Sequence, residues 1–198
     1  MRIFLQTSTI LSKQSIELFK TNEVINIILN IRMITIIAGT NRKDSNTKKI
    51  AEAYKKILLQ KGVKCKILLL DEIEVHERNE AFIEMENKYL LEAEKLIIAM
   101  PEYNGSFPGI LKLMIDNTDV KNVWPNKKIL LAGVSTGRAG NLRGMDHLTG
   151  VLLYLKANVH YNRLPISIVH TLLNDDGILT DEATINTLNT QVDEFLLF

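Results

Sequence analysis

From residue 33 onward, short and nearly unbroken apolar runs alternate with longer stretches that place apolar residues every three or four positions. Residues 33–38, 64–70, 95–100 and 128–134 are runs of the first kind, the pattern of strands buried on both faces. Helical patterns lie between them. The first ends at about residue 61, with Ile50, Tyr54, Ile57 and Leu58 on one face and Gly62 as its stop signal. The second covers about 80–94 and turns Phe82, Met85, Tyr89, Leu90 and Ala93 inward. The third covers 110–116, behind a Pro108 that suits a first helical turn because no N–H is needed there. The fourth follows a Gly- and Arg-rich loop at 135–144 and reaches about residue 156, with Leu142, Met145, Leu148 and Leu152 in register. Residues 158–164 and 166–170 predict a fifth strand interrupted by Pro165, which confines it to an edge. Thr180 is expected to cap a last helix carrying Ile185, Leu188, Val192 and Phe195 at helical spacing.

Strands alternating with helices in this way predict an α/β fold: a doubly wound, five-stranded parallel sheet of order 2-1-3-4-5 with helices on both faces. In that order the switch point lies between strands one and three. The loops after strands one, three and four then converge at one end of the sheet, where such folds bind ligands. No repeat, low-complexity tract or linker divides residues 33–198, which are expected to form one domain. Residues 1–32 do not share the pattern. The apolar start is broken by Gln6, Thr7, Ser8 and Thr9, and residues 24–31 are rich in Ile. Arg2 followed by an apolar 3–11 has the outline of a signal peptide but lacks the small-residue cleavage pattern. This stretch reads as an N-terminal extension, poorly ordered or contributed by an upstream start assignment, with Met33 as the expected start.

Charge narrows the choice of partners. The chain has 24 basic and 23 acidic residues, a net charge of +1, which argues against nucleic acid as the main partner. At 46% hydrophobic it has enough apolar residues for a substantial core. Its single cysteine, Cys65, permits no intramolecular disulfide and is compatible with a reducing, cytoplasmic setting. No apolar run reaches the roughly 18–20 residues that span a bilayer. His76, His147, His160 and His170 lack ligand spacing, so no metal site is expected. Cys65 reads as a buried small hydrophobe and Trp124 as a packing or interface residue. Asp71 and Glu72 read as a solvated loop, and the charges between Glu84 and Glu94 as the wet face of a helix.

Three loops carry the candidate chemistry. Residues 39–47 combine the short polar side chains of Thr40, Ser45, Asn46 and Thr47 with Arg42, and Asp44 or Ser45 begins a helix. The free N–H groups of that helix attract phosphate, although plain N-capping would need only one such residue. The loop is neither a Walker loop nor G-x-G-x-x-G. The second loop, Pro101-Glu102-Tyr103-Asn104-Gly105-Ser106-Phe107-Pro108-Gly109, has no acid–base pair and no metal ligands. It offers backbone donors and flat surfaces that suit a planar cofactor, though it also reads as a structural turn into a Pro-started helix. The third, Ser135-Thr136-Gly137-Arg138-Ala139-Gly140, exposes backbone that a flat ring can approach closely, or serves as a plain connector.

Gly39-Thr40-x-Arg42-x-x-Ser45, followed by Pro101-Glu102-Tyr103-Asn104-Gly105-Ser106-x-Pro108-Gly109-x-Leu111-Lys112 and Asp116, resembles the NADPH-dependent FMN reductase family. The resemblance runs from residue 33 to the C-terminus. The family usually has Ser at the place of Thr40 and often shows adjacent glycines where this chain has Gly140-Asn141. The resemblance implies a flavodoxin-like fold and an activity akin to bacterial quinone, azo-dye and chromate reductases. It implies that Thr40, Arg42, Ser45, Asn46 and Thr47 hold the FMN phosphate. Pro101, Glu102, Tyr103, Asn104 and Gly105 would line the isoalloxazine and ribityl chain, and Ser135, Thr136 and Gly137 the ring's other edge. It also implies homodimers, often paired into tetramers, with the helix at 108–117 in the interface.

The expected mechanism is ping-pong. NAD(P)H passes hydride from nicotinamide C4 to flavin N5, and a quinone, free flavin, azo compound or similar small acceptor is then reduced in the same pocket. The chemistry belongs to the cofactor, so no side chain is named as catalytic acid or base. Arg42 has a second reading, as a partner for the nucleotide's phosphates. Two rivals share the topology. A flavodoxin-type electron carrier would bind FMN without substrate turnover, but usually has a strongly acidic surface. A receiver-like signalling domain needs clustered acids after strand one, and residues 39–43 contain none.

Overall fold

The computed structural model describes residues 33–198, so the expectations for residues 1–32 lie outside the described residues. In chain order the elements are β1 (Ile34–Ala38), α1 (Asn46–Gln60), β2 (Cys65–Leu69) and α2 (Glu80–Met85), which continues as a π-helical stretch (Glu86–Leu91). Then come β3 (Lys95–Pro101), α3 (Gly109–Asn117), β4 (Lys128–Val134), α4 (Leu142–Tyr154), β5 (Asn158–Val159), β6 (Leu164–Ile166), a 3-10 turn (Val169–Thr171) and α5 (Glu182–Leu197).

The sheet is parallel with order β2-β1-β3-β4-β5, as the alternation predicted. The edge differs from expectation. Instead of one strand interrupted by Pro165, two short pieces pair with β4: Asn158 opposite Lys128, and Leu164, Pro165 and Ile166 opposite Ala132, Gly133 and Val134. The chain steps away from the ladder between them. Beside β6 the backbone packs closely. A Cβ on Gly133 would lie 2.1 Å from the Gly140 carbonyl oxygen, and one on Gly140 would lie 2.6 Å from Pro165, so backbone fills that corner.

Alternation along β1 and β3 divides the core into two layers. Ile34, Ile36 and Ala38 pack with Ile50, Tyr54, Leu58, Leu188 and Val192, so α1 and α5 cover one face. Ile37, Leu96, Ile98 and Met100 pack with Phe82, Met114, Met145 and Leu148, so α2, α3 and α4 cover the other. Helix ends follow local chemistry. Ser45 Oγ accepts the Lys48 N–H at 3.2 Å to open α1. Gly62, at φ 75°, closes it, with Val63 N–H to Leu58 O at 2.9 Å and Gly62 N–H to Leu59 O at 3.0 Å, the Schellman pattern.

Several local expectations change. The cap of α5 is Asp181, not Thr180: its carboxylate accepts the Thr184 N–H at 2.8 Å. The second helix does not run as one α-helix to residue 94; its last turns widen, with Glu92 N–H bonding Asn87 O at 3.1 Å. Glu86 is not on a wet face. It is 1% exposed and accepts both Arg78 guanidinium nitrogens at 2.8 Å and the Asp119 N–H at 2.6 Å. Leu142, the first residue of α4, is 52% exposed rather than inward. Cys65 is only partly buried, on edge strand β2. Trp124 is a packing residue, fully buried, with Nε1 donating to Thr118 Oγ1 at 2.7 Å. Glu72 is exposed and meets Lys48 at 3.3 Å.

Candidate functional site

In register, Ala38 lies beside Ala99, and Pro101 beside Val134, so β1, β3 and β4 all release their loops at one rim. A cavity of about 670 Å³ lies between those loops. The first loop contributes Arg42, Ser45, Asn46 and Thr47, the second Pro101, Glu102, Tyr103, Asn104 and Gly105, and the third Ser135, Thr136 and Gly137. Every site residue expected from the sequence lines this cavity except Thr40. The wall also includes Lys43, Asp44, Val134, Arg138, Ala139 and Val169.

The first loop delivers a helix N-terminus to the cavity. Asp44, at φ 50°, turns the chain so that Ser45 becomes the N-cap of α1. The Ser45 hydroxyl takes only the Lys48 amide, and the amides of Asn46 and Thr47 belong to the first turn, whose N–H groups have no partner within the helix. That turn carries no acidic residue, and two cations, Arg42 and Lys43, against one acid, Asp44, stand just before it. The result is a positive end for an anion. Thr40 lies behind this wall, 1% exposed. Its Oγ1 is 2.6 Å from the Tyr103 hydroxyl and accepts the Arg42 N–H at 3.2 Å.

The second loop is a tight hairpin. Tyr103 N–H bonds Ser106 O at 2.9 Å and Ser106 N–H bonds Tyr103 O at 3.1 Å, around Asn104 at φ 53° and Gly105 at φ 78°. Positive φ at both central residues is what a two-residue turn of this kind demands, and Asn-Gly supplies it at low strain. Glu102 N–H bonds Val134 O at 3.1 Å, which ties the loop to β4. Helix α4 supports it from behind. A Cβ on Gly144 would sit 2.8 Å from Phe107 N, and His147 Nδ1 is 2.9 Å from Ser106 Oγ. Pro108 is the N-cap of α3 rather than its first helical residue.

The third loop is braced from within and from the far edge. Ser135 Oγ donates to Gly137 O at 2.9 Å and accepts the Gly140 N–H at 3.0 Å. Ile168 N–H bonds Gly137 O at 2.9 Å, and Val169 N–H bonds Ser135 O at 3.0 Å. Ile168 holds φ 49°, a costly conformation for a β-branched residue, so strain is concentrated where Val169 is presented to the cavity. Asn141 adopts φ 59°, as a glycine would, and its side chain bonds Met100 O at 3.2 Å and Pro101 O at 2.8 Å. Sequence reasoning missed Asn141, whose signal was an Asn next to a glycine ahead of a helix, and Val169, which had no local signal.

These walls fit a flat group with an anionic tail. A Cβ on Gly137 would meet nothing within 4 Å, so bare backbone faces the space there. The cationic helix end lies at one side and the Tyr103–Gly105 turn at another. No histidine or cysteine lines the cavity, and no group of three or more metal-ligating side chains is found among the described residues.

Comparison with known proteins points the same way. The sequence pattern of NADPH-dependent FMN reductase matches residues 32–167. The chain is 27% identical over 172 residues to a 2-hydroxy-1,4-benzoquinone reductase of Burkholderia sp, an alignment covering 82% of this chain and 93% of the relative. It is 30% identical over 119 residues to an NAD(P)H:quinone oxidoreductase of Solanum tuberosum, covering 57% of this chain and 60% of that one. In structure it is similar to FerB, a flavoenzyme NAD(P)H:(acceptor) oxidoreductase from Paracoccus denitrificans, with a TM-score of 0.71 and 22% identity over 84% of this chain and 96% of that one.

Proposed function

The chain belongs to the NADPH-dependent FMN reductase family, and from that premise we propose that the cavity at the sheet's carboxyl rim seats FMN and that a quinone is the acceptor reduced there. The family implies FMN as cofactor and NAD(P)H as electron donor. Bound there, FMN would supply the redox chemistry that links NAD(P)H to the acceptor. The protein's part is placement. The first turn of α1, with Arg42, Ser45, Asn46 and Thr47, would hold the phosphate through amides, hydroxyls and charge. The Tyr103–Gly105 turn and Ser135–Gly137 would flank the ring, with Asn141 and the Ile168–Val169 turn fixing the loops that carry them. A wall made of tied loops loses little freedom when the ring and nicotinamide are brought face to face.

The observation that carries this reading is the meeting of all three loops around one cavity, with a helix N-terminus at its edge. Quinone is chosen as the acceptor because the Burkholderia relative, which aligns over 93% of its length, is a benzoquinone reductase. The flavodoxin-type carrier is less favoured, because these curated relatives are reductases and the net charge is +1. A homodimer, or a tetramer of paired dimers, would use α3 and the exposed Leu142 at the start of α4. Among the described residues no helix is long and apolar enough to cross a membrane, and a cytoplasmic setting is part of the proposal.

Purified protein should be yellow, or take up FMN on incubation, and should oxidise NADPH in the presence of 1,4-benzoquinone. Protein that gains no flavin from excess FMN would overturn this reading. Protein that binds FMN but leaves NADPH unoxidised with quinone would favour the electron carrier.

A further inference from the structure

We propose that Thr40 is a positioning residue that couples the anion-binding loop to the ring-facing loop, an inference that rests on the cavity being the flavin seat. Thr40 does not line the cavity and is 1% exposed. Its hydroxyl nevertheless meets both loops. Oγ1 lies 2.6 Å from the hydroxyl of Tyr103, 63 residues further along the chain, and accepts the Arg42 N–H at 3.2 Å. The Arg42 guanidinium carbon in turn lies 4.2 Å from the centroid of the Tyr103 ring. Three residues thus contact one another pairwise. Two of them face the cavity, Arg42 at its anionic end and Tyr103 on the ring side.

A hydroxyl has one proton and two acceptor sites, so Thr40 serves both partners at once. Arg42 over the Tyr103 face adds a cation–π contact that fixes the guanidinium in direction. Threonine adds something serine lacks: β-branching restricts χ1, which holds Oγ1 toward Tyr103. Movement of Arg42 toward a bound phosphate is therefore felt at Tyr103, and displacement of Tyr103 by a ring is felt at Arg42. The anion and ring subsites act as one unit, with the joint out of ligand reach.

The test is a double-mutant cycle read by FMN titration of the apoprotein and by the visible spectrum of bound flavin. T40V keeps the shape and removes the hydroxyl, and Y103F removes the other half of the same bond. Y103F is expected to weaken FMN binding about tenfold, the loss that one buried hydrogen bond of about 1.4 kcal/mol represents, and T40V by at least as much, because it also loses the bond from the Arg42 N–H. T40V/Y103F should be no weaker than T40V, because the bond that Y103F removes is one that T40V already lacks. T40S should bind within about threefold of wild type, since it restores the hydroxyl. T40V and Y103F should shift the flavin absorption band alike, a signature that simple destabilisation does not produce. Additive losses in the double variant, or T40V binding like wild type, would overturn the role of Thr40. Should T40V fold poorly, Y103F and T40S decide: equal FMN affinity in Y103F and wild type overturns the coupling. Wild-type protein that takes no FMN would overturn the flavin reading itself, a different result.

Discussion

The side-chain amide of Asn141 donates to the main-chain oxygen of Pro101 at 2.8 Å, so the residue that opens α4 also closes the end of β3. The same amide reaches Met100 O at 3.2 Å. Substitution separates its two contributions. N141G keeps the φ of 59° without strain but loses both bonds, and is expected to cost about 1–2 kcal/mol. N141A loses the same bonds but keeps a Cβ in the left-handed conformation, so it is expected to be about 1–2 kcal/mol less stable than N141G. Urea denaturation of the three proteins checks the order wild type, N141G, N141A. An N141G protein as stable as wild type would show that the amide bonds carry no net stability.

Glu86 depends on Arg78 for its place in the interior. The carboxylate is 1% exposed and takes two guanidinium bonds at 2.8 Å, while hydrogen bonding to Glu86 raises the Arg78 pKa further above its ordinary range. R78M leaves a buried acid without its counter-charge. The expected loss is about 2–3 kcal/mol, below the roughly 3–5 kcal/mol of a fully enclosed pair because Arg78 itself reaches solvent. R78M/E86M should recover part of the loss in the same urea assay. A double variant no more stable than R78M would contradict this account.

Lys95 makes stability depend on pH. Its ammonium group, 2% exposed, donates to Phe195 O at 2.9 Å and Leu196 O at 2.8 Å in the last turn of α5. Burial, with a smaller contribution from nearby Lys128, lowers its pKa from 10.5 to about 8, while Glu94 opposes the shift. Between about pH 8 and 10.5 the unfolded chain therefore binds more protons than the folded one. The stability contributed by this group rises with pH across that window and is lost as pH falls through about 8. A neutral amine still donates to both carbonyls. Urea midpoints of wild type should thus gain on those of K95M between pH 7.5 and 9.5, and parallel curves would refute it.

Gly137 should tolerate bulk everywhere but in the cavity. An added Cβ meets nothing within 4 Å, and the residue lines the proposed ring site. G137W is expected to change stability by less than about 0.5 kcal/mol, as surface substitutions do. FMN affinity should fall by at least about tenfold, because the indole would occupy the space meant for the ring. FMN titration alongside thermal unfolding separates the two effects. Normal FMN binding by a folded G137W would place the ring elsewhere.

The sheet order was legible because strands buried on both faces have to be continuous apolar runs, and 33–38, 95–100 and 128–134 are such runs. The cavity walls were legible because their turns need particular residues: Ser45 to cap a helix, and Asn104-Gly105 to take positive φ twice. What stayed hidden depended on partners far along the chain. A hydroxyl such as Thr40 can face a ligand or a buried phenol, and only packing decides. Glu86 carries the spacing of an exposed helix position, and its partner Arg78 lies eight residues earlier, outside the helix. Val169 reaches the cavity only because backbone bonds to Ser135 and Gly137 pull its turn there.

The broken margin formed by β5 and β6 has a bearing on how copies of this chain can meet. Two pieces of two and three residues, one with a proline, present no continuous row of donors and acceptors. The step between them is occupied from α5, where Gln191 Nε2 donates to Asn162 O at 2.7 Å and Glu194 accepts from Asn162 Nδ2 at 2.7 Å. A neighbouring strand has nothing to zip onto along that border. Growth of the sheet across molecules is blocked on this side, so association falls to helical surfaces or to the opposite edge, β2.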